Sequence, residues 1–197
     1  TVDEGTVADV KMSTVTEYFD DIVANEDLSN LRTYEGEMYL EYHRGTYTTW
    51  ARMKKYNRDN EILGESAEKA ATVGFYTNST PNNGSERIED GWEKVLLNQM
   101  HDVLPGSALA YQYYVTFNQE ELAANLFNGV RDNALGALAY RADTDVSGKP
   151  VFVYNDLSWA RDGEVTVELQ YDDTPPSSVV VYDDETPIYP TNIDRDE

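Results

Sequence analysis

Residues 48–75, TTWARMKKYNRDNEILGESAEKAATVGF, are the stretch on which the fold turns. Trp50, Met53, Ile62, Ala67, Ala70 and Val73 recur at near-helical spacing, and Arg52, Lys54, Lys55, Asp59 and Glu65 fall mainly between them. That period predicts one helix of roughly 28 residues, about 42 Å long if unbroken. Gly64 weakens the run without ending it, since one glycine costs a helix only about 1 kcal/mol relative to alanine.

Reading outward from this helix, residues 78–85 (NSTPNNGS) have the composition of a loop. A second helix is expected over residues 86–100, with Ile88, Trp92, Val95, Leu96 and Gln99 along one side and Pro105-Gly106 closing it. A third is expected to start after Asn118 as its cap, with Glu121 at the matching third position, and to run to Ala142 through Leu122, Leu126, Val130, Leu135 and Leu138. Toward the N-terminus, Ser13 or Thr14 can cap a helix that contains Glu17, Tyr18, Phe19, Ile22 and Val23. Residues 34–42 alternate loosely and read as a strand or an extended segment, after which Gly45 breaks the pattern. Past Pro150 the period drops to two, at Val151 and Val153, at Val165, Val167 and Leu169, and at Val179 and Val181. The expected fold class is α+β, a three-helix bundle followed by antiparallel β-strands, with the change near residue 145. There is no internal repeat.

Composition excludes several functions. The net charge of −22, from 37 acidic and 15 basic residues, argues against binding a phosphate backbone. Its acidic residues are scattered and only six of the basic ones are lysine, which fits a cytoplasmic protein of a high-salt organism; an acidic module that attracts a basic partner is the competing reading. Without cysteine, the segment has neither disulfides nor a thiolate metal site. No apolar run approaches the length of a bilayer span, and no basic-then-apolar leader is present, so no membrane partner is expected. Beginning at Thr1 and ending in a polar tail, the chain reads as a piece of something longer.

Several motifs have ordinary explanations. Asp143, Asp145 and Ser147 imitate the first half of a calcium loop, but the closing bidentate position falls on Tyr154, so a polar linker is the better reading. Asn78-Ser79-Thr80 and Asn83-Gly84-Ser85 match the glycosylation acceptor pattern, which is common in loops. Glu35 and Glu37 read as solvated surface. Trp50 and Trp92 are expected in the core, and Trp159 between domains. His101-Asp102, in the run NQMHDVLPGS (residues 98–107), is the most chemically loaded pair: imidazole and carboxylate suit a divalent metal and a polyhydroxylated substrate. Taken alone the pair also fits a hydrogen-bonded structural histidine. The other histidine lies in His43-Arg44-Gly45-Thr46-Tyr47, which gathers an imidazole, a guanidinium and a phenol around a glycine; a satisfied turn would explain it as well.

Three segments, in order, resemble the alpha-mannosidases of glycoside hydrolase family 38: residues 40–51 (LEYHRGTYTTWA), residues 98–107 (NQMHDVLPGS) and residues 153–161 (VYNDLSWAR). The likeness covers residues 35 to 165 or so and is weaker at both ends. It implies residues 1–39 as the tail end of a catalytic domain, 40–145 as a helical middle domain, and 146–197 as the start of a C-terminal β-domain, the first strands of an incomplete β-sandwich. By the same likeness, His101 is a ligand of a divalent metal, usually zinc, and Asp102 binds hydroxyls of the mannose. His43, Arg44 and Tyr47 are implied to line the sugar pocket, with His43 at a place where part of the family has an aromatic residue.

The implied function is a share in a retaining, metal-dependent alpha-mannosidase that hydrolyses terminal alpha-mannosides. The partners implied are the alpha-mannoside and the remainder of the parent enzyme, and a homo-oligomer is left open. The family's early H-x-D motif, its nucleophile and its acid/base segments are absent from these residues, so the chain alone is expected to be inactive and to bind zinc negligibly. A non-catalytic helical-plus-β module that binds carbohydrate or protein is the alternative.

Overall fold

The structure is a computed structural model that describes residues 10–172, 174, 176–183 and 186–188. It is α+β, with helices α1 (Val15–Asn25), α2 (Ala51–Tyr76), α3 (Ser85–Asn98) and α4 (Gln112–Arg141), then strands β1 (Val181–Asp183) and β2 (Thr186–Ile188). The chain divides into two compact units, Thr1–Tyr47 and Thr48–Glu197. The outermost parts of the expected catalytic-domain tail (residues 1–9) and β-domain (residues 189–197) lie outside the described residues.

In the first unit α1 forms where the capping box was read. The Thr14 hydroxyl accepts from Glu17 N at 3.2 Å, and the Glu17 carboxylate accepts from Thr14 N at 3.0 Å. That backbone bond, with another from the Ser13 hydroxyl, holds the Glu17 carboxyl below its ordinary range. Residues 34–40 form no strand; they are irregular with a bend at Gly36, and a 3-10 segment, Glu41–Tyr47, follows.

The second unit is built on α2, α3 and α4, which pack on one another pairwise. Buried positions on α4 are Tyr113, Thr116, Glu120, Ala123, Phe127, Val130 and Ala134, an unbroken alternation of three and four residues. Met53, Asn57, Asn60, Gly64, Ala67, Ala71 and Gly74 repeat that spacing on α2. This spacing is that of a seam between packed helices, large side chains on one meeting small ones on the other. Gly64 shows how tight the meeting is: a Cβ there would lie 2.6 Å from the Trp92 ring and 3.1 Å from Phe127.

The buried face of α2 differs from the one expected. Ile62 is 56% exposed and Val73 38% exposed, while Asn57 and Asn60 are buried. For Asn60 the reason lies on α4, where Glu120 is wholly buried. Its carboxylate accepts from Asn60 Nδ2 at 2.7 Å and from Asn98 Nδ2 at 3.0 Å, so one side chain from each helix meets in a polar layer. Burial pushes the Glu120 carboxyl above its ordinary range, and the two carboxamides pull it part of the way back.

Two boundaries shift. α3 ends at Asn98, leaving His101 in the turn beyond it, and α4 begins at Gln112, with Asn118 inside the helix and not at its cap. Trp50 is 40% exposed and Trp159 62% exposed, so neither is a core residue; Trp92 packs partly buried against Ala67, Val95, Ala123 and Phe127.

After α4 the expected alternation yields less regular structure than its pattern promised. β1 and β2 pair antiparallel, with Val181 opposite Ile188 and Asp183 opposite Thr186. Residues 150–170 form no ladder, and Val151, Val153, Val165 and Val167 are 42–60% exposed. Alternating side chains define two faces of a strand, but a ladder also needs a neighbouring backbone to take its N–H and C=O groups.

Candidate functional site

The turn of residues 99–106 closes α3 and carries the His-Asp pair. His101 has 86% of its side chain exposed, and its Nε2 lies 3.3 Å from Asp102 Oδ2. An imidazole so placed is open to a ligand and is not a buried structural histidine. Asp102 is held from behind: the Ser107 hydroxyl donates to its Oδ1 at 3.1 Å. Its carbonyl accepts from Ser107 N at 3.0 Å and Ala108 N at 2.8 Å. Oδ2 therefore faces His101 while Oδ1 and the carbonyl fasten the residue to its own turn.

Charge-assisted bonds from hydroxyls to such a carboxylate, and one nitrogen bond to a cation, are the chemistry this pair can offer. A complete metal centre is more than it can make. Among the described residues no three His, Asp or Glu side chains gather where they could hold a cation. The donors fit a single coordination position with an acidic neighbour, and further ligands would have to come from outside the described residues.

Of the residues expected around Gly45, two are drawn to one place. The Arg44 guanidinium sits 4.8 Å from the centre of the Tyr39 ring, and the Tyr47 ring meets Tyr39 edge-on at 5.6 Å. Arg44 also lies 3.6 Å from the Glu41 carboxylate. Tyr39, the centre of this cluster, was not singled out from sequence. His43 is exposed and not part of it; its backbone carbonyl accepts from the Thr46 hydroxyl at 2.7 Å. These residues belong to the first compact unit, whereas His101 and Asp102 belong to the second.

The supports of the His101 turn also escaped the sequence reading. Tyr113, 1% exposed, donates through its hydroxyl to Val103 O at 3.0 Å and Asp102 O at 3.3 Å. Lys54 donates to Leu104 O at 2.7 Å, and burial pulls its ammonium below the ordinary lysine range. Elsewhere a cleft of about 450 Å³ opens among Thr80, Asn83, Gly84, Arg87 and Asn133, with no carboxylate in its lining and no residue of the turn.

Comparison with known proteins bears on this arrangement. Residues 41–138 match the alpha mannosidase middle domain. The chain is 34% identical over 180 residues to the alpha-mannosidase of Saccharomyces cerevisiae, a match that covers 87% of this chain and 16% of that protein. It is 30% identical over 139 residues to alpha-mannosidase 2C1 of Mus musculus, covering 68% and 13% respectively. With alpha-mannosidase G of Dictyostelium discoideum it shares 33% identity over 117 residues, covering 56% and 10%. The matched part spans at most about one sixth of these relatives' length. Among the described residues no helix is long and apolar enough to cross a membrane.

Proposed function

Since the chain belongs to the alpha-mannosidase family and holds that family's middle domain in residues 41–138, we propose that it supplies one metal ligand and part of the sugar pocket of a retaining, metal-dependent enzyme acting on terminal alpha-mannosides. Residues 1–39, 40–145 and 146–197 are then the tail of the catalytic domain, the middle domain and the start of the β-domain. The observation that carries the reading is the exposure of His101 beside a carboxylate whose other oxygen is already engaged.

In this reading His101 offers a neutral ring nitrogen to the cation, zinc by family likeness, with the rest of the coordination sphere supplied by the remainder of the enzyme. A divalent ion there would act as a Lewis acid toward the sugar hydroxyls and help to orient the ring. Asp102 binds the hydroxyls of the glycone through charge-assisted hydrogen bonds, with Ser107 fixing which oxygen is free. By family likeness Arg44 and Tyr47, ordered on Tyr39, and His43 are sugar-contacting residues of the parent enzyme. The net charge of −22 fits a cytoplasm of high salt content.

The test is hydrolysis of 4-nitrophenyl alpha-mannoside by the longer enzyme that carries this chain, with and without chelator, beside its His101→Ala variant. Loss of at least about a hundredfold in activity is expected from either treatment, the scale on which metal-site defects act. The 197 residues alone are expected to be inactive. Full activity of the variant, or turnover by the isolated chain, would overturn the proposal.

A further inference from the structure

Trp50 has a backbone conformation that its side chain makes expensive. At φ 53° and ψ 54° it lies in the left-handed region, and it is one of two non-glycine residues with positive φ among those described. For a bulky residue this costs on the order of 1–3 kcal/mol, and such strain persists only where the surroundings over-determine it. The surroundings here are specific. The indole stacks on Tyr113 with ring centres 4.4 Å apart and planes 19° from parallel, and Phe117 closes its edge at 6.0 Å.

Tyr113 in turn reaches the His101 turn, through its hydroxyl bonds to the carbonyls of Asp102 and Val103. A second link starts four residues beyond Trp50. Lys54 donates both to Thr49 O, beside Trp50, and to Leu104 O in the turn. The third is steric: Gly106, at φ 99°, lies so close to Thr49 that a Cβ would stand 2.7 Å from the Thr49 methyl.

We propose that Trp50, Tyr113 and Lys54 are positioning residues that clamp the turn bearing His101 and Asp102 onto the start of α2. The clamp explains why strain is retained at Trp50: the stack, the ammonium and the glycine contact all require the chain to enter α2 from that direction. It also meets a physical need, because groups that must meet a cation and sugar hydroxyls within a fraction of an ångström perform poorly on an unsupported loop. Its relevance to catalysis rests on the mannosidase reading, whereas the clamp itself rests on the contacts just given.

Residue-resolved amide hydrogen exchange on the 197-residue chain tests it. Tyr113→Phe keeps the stack and removes the hydroxyl. It is expected to speed exchange at Leu104, Gly106, Ser107 and Ala108 about tenfold, the scale of one neutral hydrogen bond, with the α2 and α4 seam unchanged. Lys54→Met should act in the same direction. Trp50→Gly should also loosen the turn although it relieves the backbone, and Trp50→Phe should restore most of the protection. Exchange in the turn that stays at the wild-type rate in these variants, or rises only in step with the seam, would overturn the proposal. None of this needs metal or sugar: a rigid wild-type turn together with a fully active His101→Ala enzyme would remove the mannosidase role and leave the clamp standing.

Discussion

Glu120 is where a single residue matters most to this bundle. Its carboxylate is wholly buried, meets two carboxamides, and has no cationic side chain among its hydrogen-bond partners. Since burial raises its pKa, the native state holds this proton to a higher pH than the unfolded chain does. The stability it contributes is therefore complete below the ordinary carboxylate range, near pH 4.5, and is lost as pH rises through the native value. Urea unfolding of wild type and Glu120→Gln across pH 4 to 7.5 isolates the effect, because the other carboxylates cancel in the difference. Wild type should lose ground to the variant as pH rises; a difference that does not vary with pH would mean that folding leaves the Glu120 pKa where it is in the unfolded chain. Glu120→Leu takes the carboxylate away from both carboxamides, which keep backbone acceptors at Glu120 O and Thr116 O; it should cost about 1–3 kcal/mol near pH 4 and less as pH rises. No sequence pattern announces this layer. Nothing in the helical period marks Asn57 or Asn60 as core; Asn60 is drawn in by Glu120, and Asn57 is buried among Glu61 and Gln99. His101 and Asp102 were legible for the opposite reason: their chemistry lies in adjacent residues. Tyr113 and Lys54 were not, since each acts on a carbonyl some ten or fifty positions away.

Elements follow the same division between local and distant causes. The α1 start was readable because Thr14 and Glu17 cap it within one turn. The start of α4 was misplaced because Asn118 and Glu121 resemble a capping pair wherever they stand. Tyr113 and Phe117 carry the helix upstream instead, by packing on Trp50. The existence of α2 was legible from its period, but its inner face was not. Glycines read as a weakness where, in the packed bundle, they admit a neighbour. Gly64→Ala and Gly91→Ala test this. Helix propensity alone favours alanine by about 1 kcal/mol. The added Cβ, however, would stand 2.6 Å from the Trp92 ring in one case and 2.5 Å from Phe127 in the other. Overpacking of this kind costs about 1–3 kcal/mol, so both variants should unfold at lower urea. A higher midpoint would show that the rings give way and that these glycine contacts do not limit how closely the helices approach.

Charge acts on the molecule as a whole. Ion pairs such as Arg52 with Glu121, Lys55 with Asp59 and Lys69 with Glu65 are exposed, so solvent screens them and they contribute little. Even if every basic residue had a partner, 37 − 15 leaves 22 acidic residues repelling one another. The sequence shows that excess directly, and also the α+β class, but not which strands pair: residues 150–170 alternate like the 179–181 run, and β1 finds its partner only seven residues away. Raising KCl from 0.1 to 2 M contracts the screening length from about 10 Å to below about 3 Å, short of most separations between surface charges. The folded state, having the higher charge density, gains more from this than the unfolded chain. The urea midpoint should therefore rise by about 1 M, on the order of 2 kcal/mol for a domain of this size. Guanidinium chloride supplies a control, because it screens as it denatures: its first additions should stabilise the chain at low KCl and only destabilise it at high KCl. A urea midpoint that stays flat or falls with salt would mean the acidic residues are already far enough apart for water alone to shield them, and would remove the physical ground for reading this charge as an adaptation to salt.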